Sequence, residues 1–400
     1  MPAVFVGLVG AMALLSGCGR SAEGLAPAQV ALLPGSVGAQ SDDLIVIAND
    51  RFPLRWKGEW VPIEPPESYD RFLTGPAAVM CWSEQENKFA CVPVRDTGER
   101  DVFIYFLDRA LYQGWDGRYA HAPLPASPLA VRLEGSTAHL IVGLYQSGNP
   151  GRMLRVAYDR ITLNENVKPG TTAGTAKMAA LALPGDWPLR SEVVQAAFLG
   201  GEGLTAALAG AGEVVRWDPE QPERLEPCLT VAQVAAQGVS ADQVKAARLT
   251  LLTGPRGTPA YAAYFLSGKV LVWRLPVEGA PEFVGDAQTV GSGEVLRLAA
   301  RPDGQGWAVL IGGAAPAAAS GTTGVPPVAG TLYLTGPKFA SPQALDLPGR
   351  SVADPAWSPT GDRLYFVVDG TEIWRSDSGQ APQQVAVAPA QMSLEMKPGK

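Results

Sequence analysis

The stretch AWSPTGDRLYFVVDGTEIWR, from Ala356 to Arg375, decides the fold class. Pro359 fixes the start of a turn that Asp and Gly residues close, and residues 364–368 form a continuous apolar, β-favouring run. Asp369-Gly370 is a favourable hairpin turn, and residues 372–375 supply the returning arm. The pattern recurs upstream. Residues 261–265 and 269–275 flank Ser267-Gly268, residues 139–145 and 153–158 flank a loop over 147–151, and residues 196–208 and 213–217 flank Gly210-Ala211-Gly212. Helical periodicity is almost absent, so the chain reads as all-β.

The strands also recur as a unit. Aromatic or aliphatic strands at 102–107, 153–158, 213–217, 269–275, 331–334 and 372–375 end successive units roughly 40 to 60 residues apart, the period of four-stranded propeller blades. The 356–375 unit resembles the WD-like repeat of TolB-type propellers. In that family an aromatic-Ser-Pro-Asp-Gly turn precedes a strand, a tight turn and a second strand; here Thr360 replaces the usual Asp. A weaker copy is Ala300-Arg301-Pro302-Asp303-Gly304, followed by a strand over 307–311. The resemblance covers about a fifth of the chain and implies a β-propeller of four-stranded blades. Seven blades is the favoured count, with six or eight also compatible, and a stacked pair of β-sandwiches is the rival architecture. Ring closure is expected from residues 44–49 or 54–56 adding a strand beside residues 364–375, which would cover an open sheet edge.

Two segments interrupt the rhythm. Residues 231–248 read as a helical insert between blades, with Ser240 as a helix cap. Residues 312–330 contain only small residues, Pro and Val, and read as a mobile loop inside one blade.

Residues 3–15 form an uncharged apolar run of signal-peptide length, too short to span a bilayer. Leu15-Ser16-Gly17-Cys18 resembles the lipobox of bacterial lipoproteins, although no Lys or Arg precedes the run. The resemblance implies cleavage before Cys18, acylation of its thiol with diacylglycerol and palmitate-type chains, and a membrane partner through the lipidated N-terminus. Several acyl chains anchor durably where one holds only marginally. The implied address is the cell envelope, on the extracytoplasmic face. The boundaries read as a leader over 1–17, a flexible Gly/Ala/Ser/Pro tether over 18–43, the propeller over 44–379 and a tail over 380–400. Hydrophobic residues make up 46% of the chain, which fits a globular body. The net charge of −7, with no basic cluster, argues against nucleic acid.

Candidate chemistry is sparse. Cys81 and Cys91 flank a hairpin and, if its turn is centred on Glu86, face one another closely enough for a disulfide in an exported protein. Cys228 has no evident partner and reads as a buried free thiol. Of the two histidines, His139 starts a strand and His121 lies in a Pro-rich connection, so both read as structural or exposed. No nucleophile elbow, zinc-helix or calcium-loop motif occurs. Residues 201–206 superficially match a dinucleotide fingerprint but lack a βαβ unit, and read as a turn before a strand. Most tryptophans fall within strand patterns and read as core; Trp56, Trp60 and Trp115 are the candidates for an exposed surface. No catalytic residue and no cofactor is assigned, and metal ligands drawn from several blades would leave no local spacing to read. The expectation is a non-catalytic binding or scaffold module for protein, peptide or glycan. The alternative is an exported metal-dependent hydrolase or lactonase using carboxylates in the channel.

Overall fold

The computed structural model describes the strands between residues 32 and 181, then residues 195–387 almost throughout. Breaks fall at 201–203, 222–224, 254–259, 313–329 and a few isolated positions, and most side chains before residue 195 lie outside the described set. The leader, the 313–329 loop and the end of the tail, all characterised above from sequence, therefore lie outside the described residues.

Among the described residues the strands form seven four-stranded antiparallel sheets, each following chain order. Numbered along the chain, sheets 1 to 7 span residues 32–62, 77–123, 126–181, 195–229, 248–286, 294–344 and 352–387. The first strands of consecutive sheets touch one another, and the first strand of sheet 7 touches that of sheet 1. The sheets therefore close into a ring, with first strands innermost.

Side-chain alternation explains the ring. In the second strand of sheet 4, Ala206 and Leu208 join a core shared with sheet 3, while Ala207 and Ala209 join one shared with sheet 5. In sheet 5, Ala262 and Tyr264 face the sheet 4 side, while Tyr261 and Ala263 pack with Trp307 and Val309 of sheet 6. Sheet 6 turns Ala308 and Leu310 toward Leu364, Phe366 and Val368 of sheet 7. Successive residues of a strand point to opposite faces, so an unbroken apolar run fits a strand covered on both sides.

The turn that defines the quoted stretch is built from its own polar groups. The buried Ser358 donates its N–H to the Arg363 carbonyl at 2.8 Å and its hydroxyl to Asp362 Oδ1 at 2.9 Å. Thr360 also donates to the Asp362 carboxylate, so the replaced position still serves the turn. Burial would raise the Asp362 pKa, but the hydrogen bonds from Thr360 and Ser358 hold it below the ordinary carboxylate value. Trp357 donates Nε1–H to the Ala299 carbonyl at 3.2 Å, tying sheet 7 to sheet 6. The weaker copy has matching bonds: Arg301 N–H to Gly306 O at 2.9 Å and Gly304 N–H to Arg301 O at 2.8 Å.

Several expectations are corrected. The strands read as unit endings are third strands, and each is followed by a fourth on the outside. Residues 196–208 are two strands, Gln195–Phe198 and Ala206–Gly210, joined through the glycine-containing 201–206 segment. The 139–158 hairpin extends to a Gln146↔Asn149 pair, its register shifts absorbing Pro150 and Gly151. The strand Asp43–Ile47 does not add to sheet 7; it pairs with Leu32–Ser36 and Leu54–Trp56 in a sheet of its own. Closure is lateral instead: Trp56 is half-buried and packs against Tyr365, Val367, Ile373 and Ala386, so it is not a surface platform. Strands Leu32–Ser36 and Gln383–Val387 both fall outside the 44–379 boundaries drawn from sequence.

Leu32–Ser36 is a strand rather than tether, so deleting residues 19–42 should lower the melting temperature, while deleting 19–31 should leave it unchanged. The drop should be about 1–2 °C for each kcal/mol of lost pairing and packing in a body of this size. Equal melting temperatures would contradict the assignment of the first strand.

Candidate functional site

The chain enters every first strand at the end where second and third strands are joined. At that end, three consecutive first strands carry charged residues, exposed at Arg248, Glu294 and Arg297 and half-buried at Asp354. Arg248 begins Arg248–Thr253, Glu294 begins Glu294–Ala300, and Asp354 lies in Val352–Trp357. Arg297 sits just past a register shift between Val295 and Arg297, and Asp354 lies within another between Ala353 and Ala356. Bulges re-aim side chains, and these two leave Arg297 Nε 3.9 Å from Asp354 Oδ1. Asp354 adopts a φ of 46°, which Asp tolerates better than most residues.

The charges act on one another. Arg248 lies over the Phe265 ring, 4.0 Å from its centroid. Burial and then the Arg297 charge lower the Arg248 pKa, with Glu294 working in the other direction; an arginine remains cationic regardless. Burial pushes the Asp354 carboxyl above its ordinary value, partly offset by Arg297. The arrangement is suited to binding: two guanidiniums offer planar donors, and two carboxyl groups beside them accept.

A rigid frame holds this rim. The expected insert is present as α1, Val231–Ala235, and α2, Ala241–Ala246, each with a capping box: Thr230 with Gln233, and Ser240 with Gln243. Val234 and Val244 are buried in the core between sheets 4 and 5. Gly212, at φ 79°, passes so close to α2 that a Cβ would lie 2.8 Å from the Val244 carbonyl oxygen. Tyr264 donates to the Gly212 carbonyl at 3.0 Å, and Lys269 Nζ donates to the Gln237 carbonyl at 3.2 Å. The chain leaves α2 and reaches Arg248 two residues later. Gln195 Oε1 accepts from the Leu251 N–H at 2.7 Å, fixing that strand to sheet 4. At the opposite end, a cavity of about 300 Å³ is lined by Ala260, Arg274, Leu275, Pro276, Val277 and Glu282, among others.

The residues singled out in the sequence lie elsewhere. Cys18 falls outside the described residues. Cys81 pairs in register with Ala90, and Cys91 with Met80, so the two cysteines are not opposed. The register, with Ser83 opposite Lys88, is offset by one residue from the one that would set Cys81 against Cys91. Cys228 is buried and free, with its thiol pKa raised by burial. Pro227 beside it is tolerated because Leu225–Leu229 is an outermost strand. His121 lies in the strand Arg118–Pro123. His139 is buried, with Nδ1 2.6 Å from the Tyr158 hydroxyl and Nε2 3.5 Å from Glu134. Trp217, Trp273 and Trp307 are buried core, while Trp60 has no described side chain and Trp115 lies outside the described residues. Among the described residues, no three His, Cys, Asp or Glu side chains are grouped to hold a metal ion.

No family model and no curated protein matches the chain. Solved structures do. Sqt1 of Saccharomyces cerevisiae aligns with a TM-score of 0.51 at 10% identity, over 90% of this chain and 86% of its own. The β-propeller domain of Swd1 (Cps50) from Myceliophteria thermophila aligns with a TM-score of 0.51 at 11% identity, over 86% and 95%. The fold is a β-propeller. A candidate 6-phosphogluconolactonase of Bacteroides uniformis also aligns, at TM-score 0.46 and 14% identity over 90% and 96%. At these identities the likeness concerns the fold alone.

His139 carries a pH dependence that can be measured. Burial lowers its pKa from 6.5 to about 4, outweighing the opposing Glu134 charge. The unfolded chain therefore takes up a proton between those values that the folded chain refuses. This contribution to stability is complete above pH 6.5 and is lost as pH falls toward 4. Urea unfolding at pH 7 and pH 4.5 should show a smaller acid loss for His139→Gln than for wild type, by on the order of 2–3 kcal/mol. Identical losses would contradict a neutral, buried imidazole.

Proposed function

We propose that this protein is an extracytoplasmic lipoprotein, anchored through acylated Cys18, whose propeller binds a protein, peptide or glycan without chemical turnover. The observation that carries the binding reading is the charged rim of Arg248, Glu294, Arg297 and Asp354, exposed or half-exposed on strands held by a rigid core. A propeller suits such a task because stacked sheets hold many variable connections around one end. The anchor rests on Leu15-Ser16-Gly17-Cys18 and the apolar run before it. A lipidated N-terminus would hold the rim close to a membrane surface, where a tethered binder meets envelope or extracellular ligands.

Two linked measurements test this reading. In a bacterial host fed tagged palmitate, wild type should be labelled and membrane-bound, and Cys18→Ser should lose both properties. Full-length protein probed with peptide and glycan arrays should retain a ligand that mass spectrometry recovers intact. Equal labelling of Cys18→Ser would overturn the anchor. A retained ligand recovered with a bond cleaved would overturn binding without turnover and favour a hydrolase.

A further inference from the structure

The rim's side chains also bear on what it binds, and this step rests on the binding reading above. Arg248 and Arg297 are exposed on neighbouring first strands. Among the described residues neither guanidinium is hydrogen-bonded to a carboxylate: Arg297 is 3.9 Å from Asp354, and Arg248 covers Phe265. The Arg297 charge raises the cost of charge on Arg248, a repulsion that a bound anion relieves. Planar guanidiniums match a carboxylate through paired N–H donors. A dianionic phosphate would fit less well, because Glu294 and Asp354 beside the pair would repel its second charge at the same point. The same two residues offer acceptors to N–H groups next to a ligand carboxylate. A sugar ligand usually also needs an open aromatic face. Among the described residues Trp217, Trp273 and Trp307 are buried, and the rim's Phe265 lies beneath Arg248.

We infer that Arg248 and Arg297 together receive a carboxylate of an acidic peptide segment, with Glu294 and Asp354 accepting hydrogen bonds from the N–H groups beside it. The insert gives this site its position, because α2 feeds directly into Arg248 and packs against Gly212, while Lys269 holds the Gln237 carbonyl ahead of α2. The three strands that build it come from sheets 5, 6 and 7, so the site exists only in the assembled ring.

The probe is a fluorescent hexaglutamate peptide with both ends blocked, titrated at low ionic strength against the full-length protein in detergent. Hexaglutamine and polygalacturonate serve as comparators. Hexaglutamate should bind and hexaglutamine should not. Arg248→Gln and Arg297→Gln should each weaken binding roughly five- to tenfold, and the double variant should abolish it. Both positions are exposed, and unchanged melting temperatures will show that the variants fold. Arg274→Gln, exposed at the opposite end of the ring, should bind as wild type does. Wild-type affinity in both rim variants, or equal weakening by Arg274→Gln, would overturn the assignment. Arg-dependent binding of polygalacturonate without hexaglutamate would overturn the peptide in favour of a sugar acid. An array ligand retained equally by the double variant would overturn this rim assignment while leaving the wider binding reading intact. Cleavage of the hexaglutamate would overturn that reading itself.

Discussion

Burial of the second strands of sheets 4 to 7 on both of their faces is the constraint from which the rest of this structure follows. Ala206–Gly210 and Trp307–Gly312 are buried at every residue, and Arg363–Val368 at all but the first. Each of these strands contributes alternate side chains to two different cores, one with the preceding sheet and one with the next. Burying one Val, Leu or Phe side chain is worth about 1.5–3 kcal/mol, and here that gain is always shared between neighbours. No sheet from 4 to 7 therefore has a core of its own. The ring has to close because an open ring would expose one face of its first and last sheets. Trp56 against Tyr365, Val367 and Ile373 is the closing contact, and it needs no strand exchanged between the two ends.

The same constraint separates structure from recognition. Second and third strands are committed to the shared cores, and fourth strands form the outer edge. First strands, facing the axis, add Phe198, Leu249, Val295 and Leu298 to those cores but also carry charge and irregular backbone. Two register shifts on adjacent first strands bring Arg297 beside Asp354. The capped helices between sheets 4 and 5 add a fixed wall where the chain turns into Arg248.

Much of the fold was legible in the sequence because buried strands and tight turns impose local rules. Ser267-Gly268 and Asp369-Gly370 mark two-strand reversals, with Gly268 at φ 74° and Asp369 and Gly370 at 50° and 76°. Ser240 followed by Gln243 marks the α2 cap. The outer strands were not legible. Gln343–Ala344 is fully exposed, and Gln383–Val387 buries only one residue, so neither shows an apolar pattern. Leu32–Ser36 contains Pro34 and Gly35, residues that usually argue against a strand. The Cys81/Cys91 register turned on a one-residue offset between the two strands, which strand propensity does not fix. The rim was invisible for a different reason. Arg248, Glu294, Arg297 and Asp354 span more than a hundred positions of sequence, and only closure of the ring brings them together.

Native-state amide hydrogen exchange tests the central claim, that shared faces make neighbouring sheets a single cooperative unit. Amides in Ala206–Gly210, Ala260–Leu266, Trp307–Gly312 and Arg363–Val368 should exchange only through global unfolding, with one common free energy and one denaturant dependence. Exchange of Arg363–Val368 at a distinctly lower free energy, with Ala206–Gly210 still protected, would show sheet 7 opening alone and contradict the account.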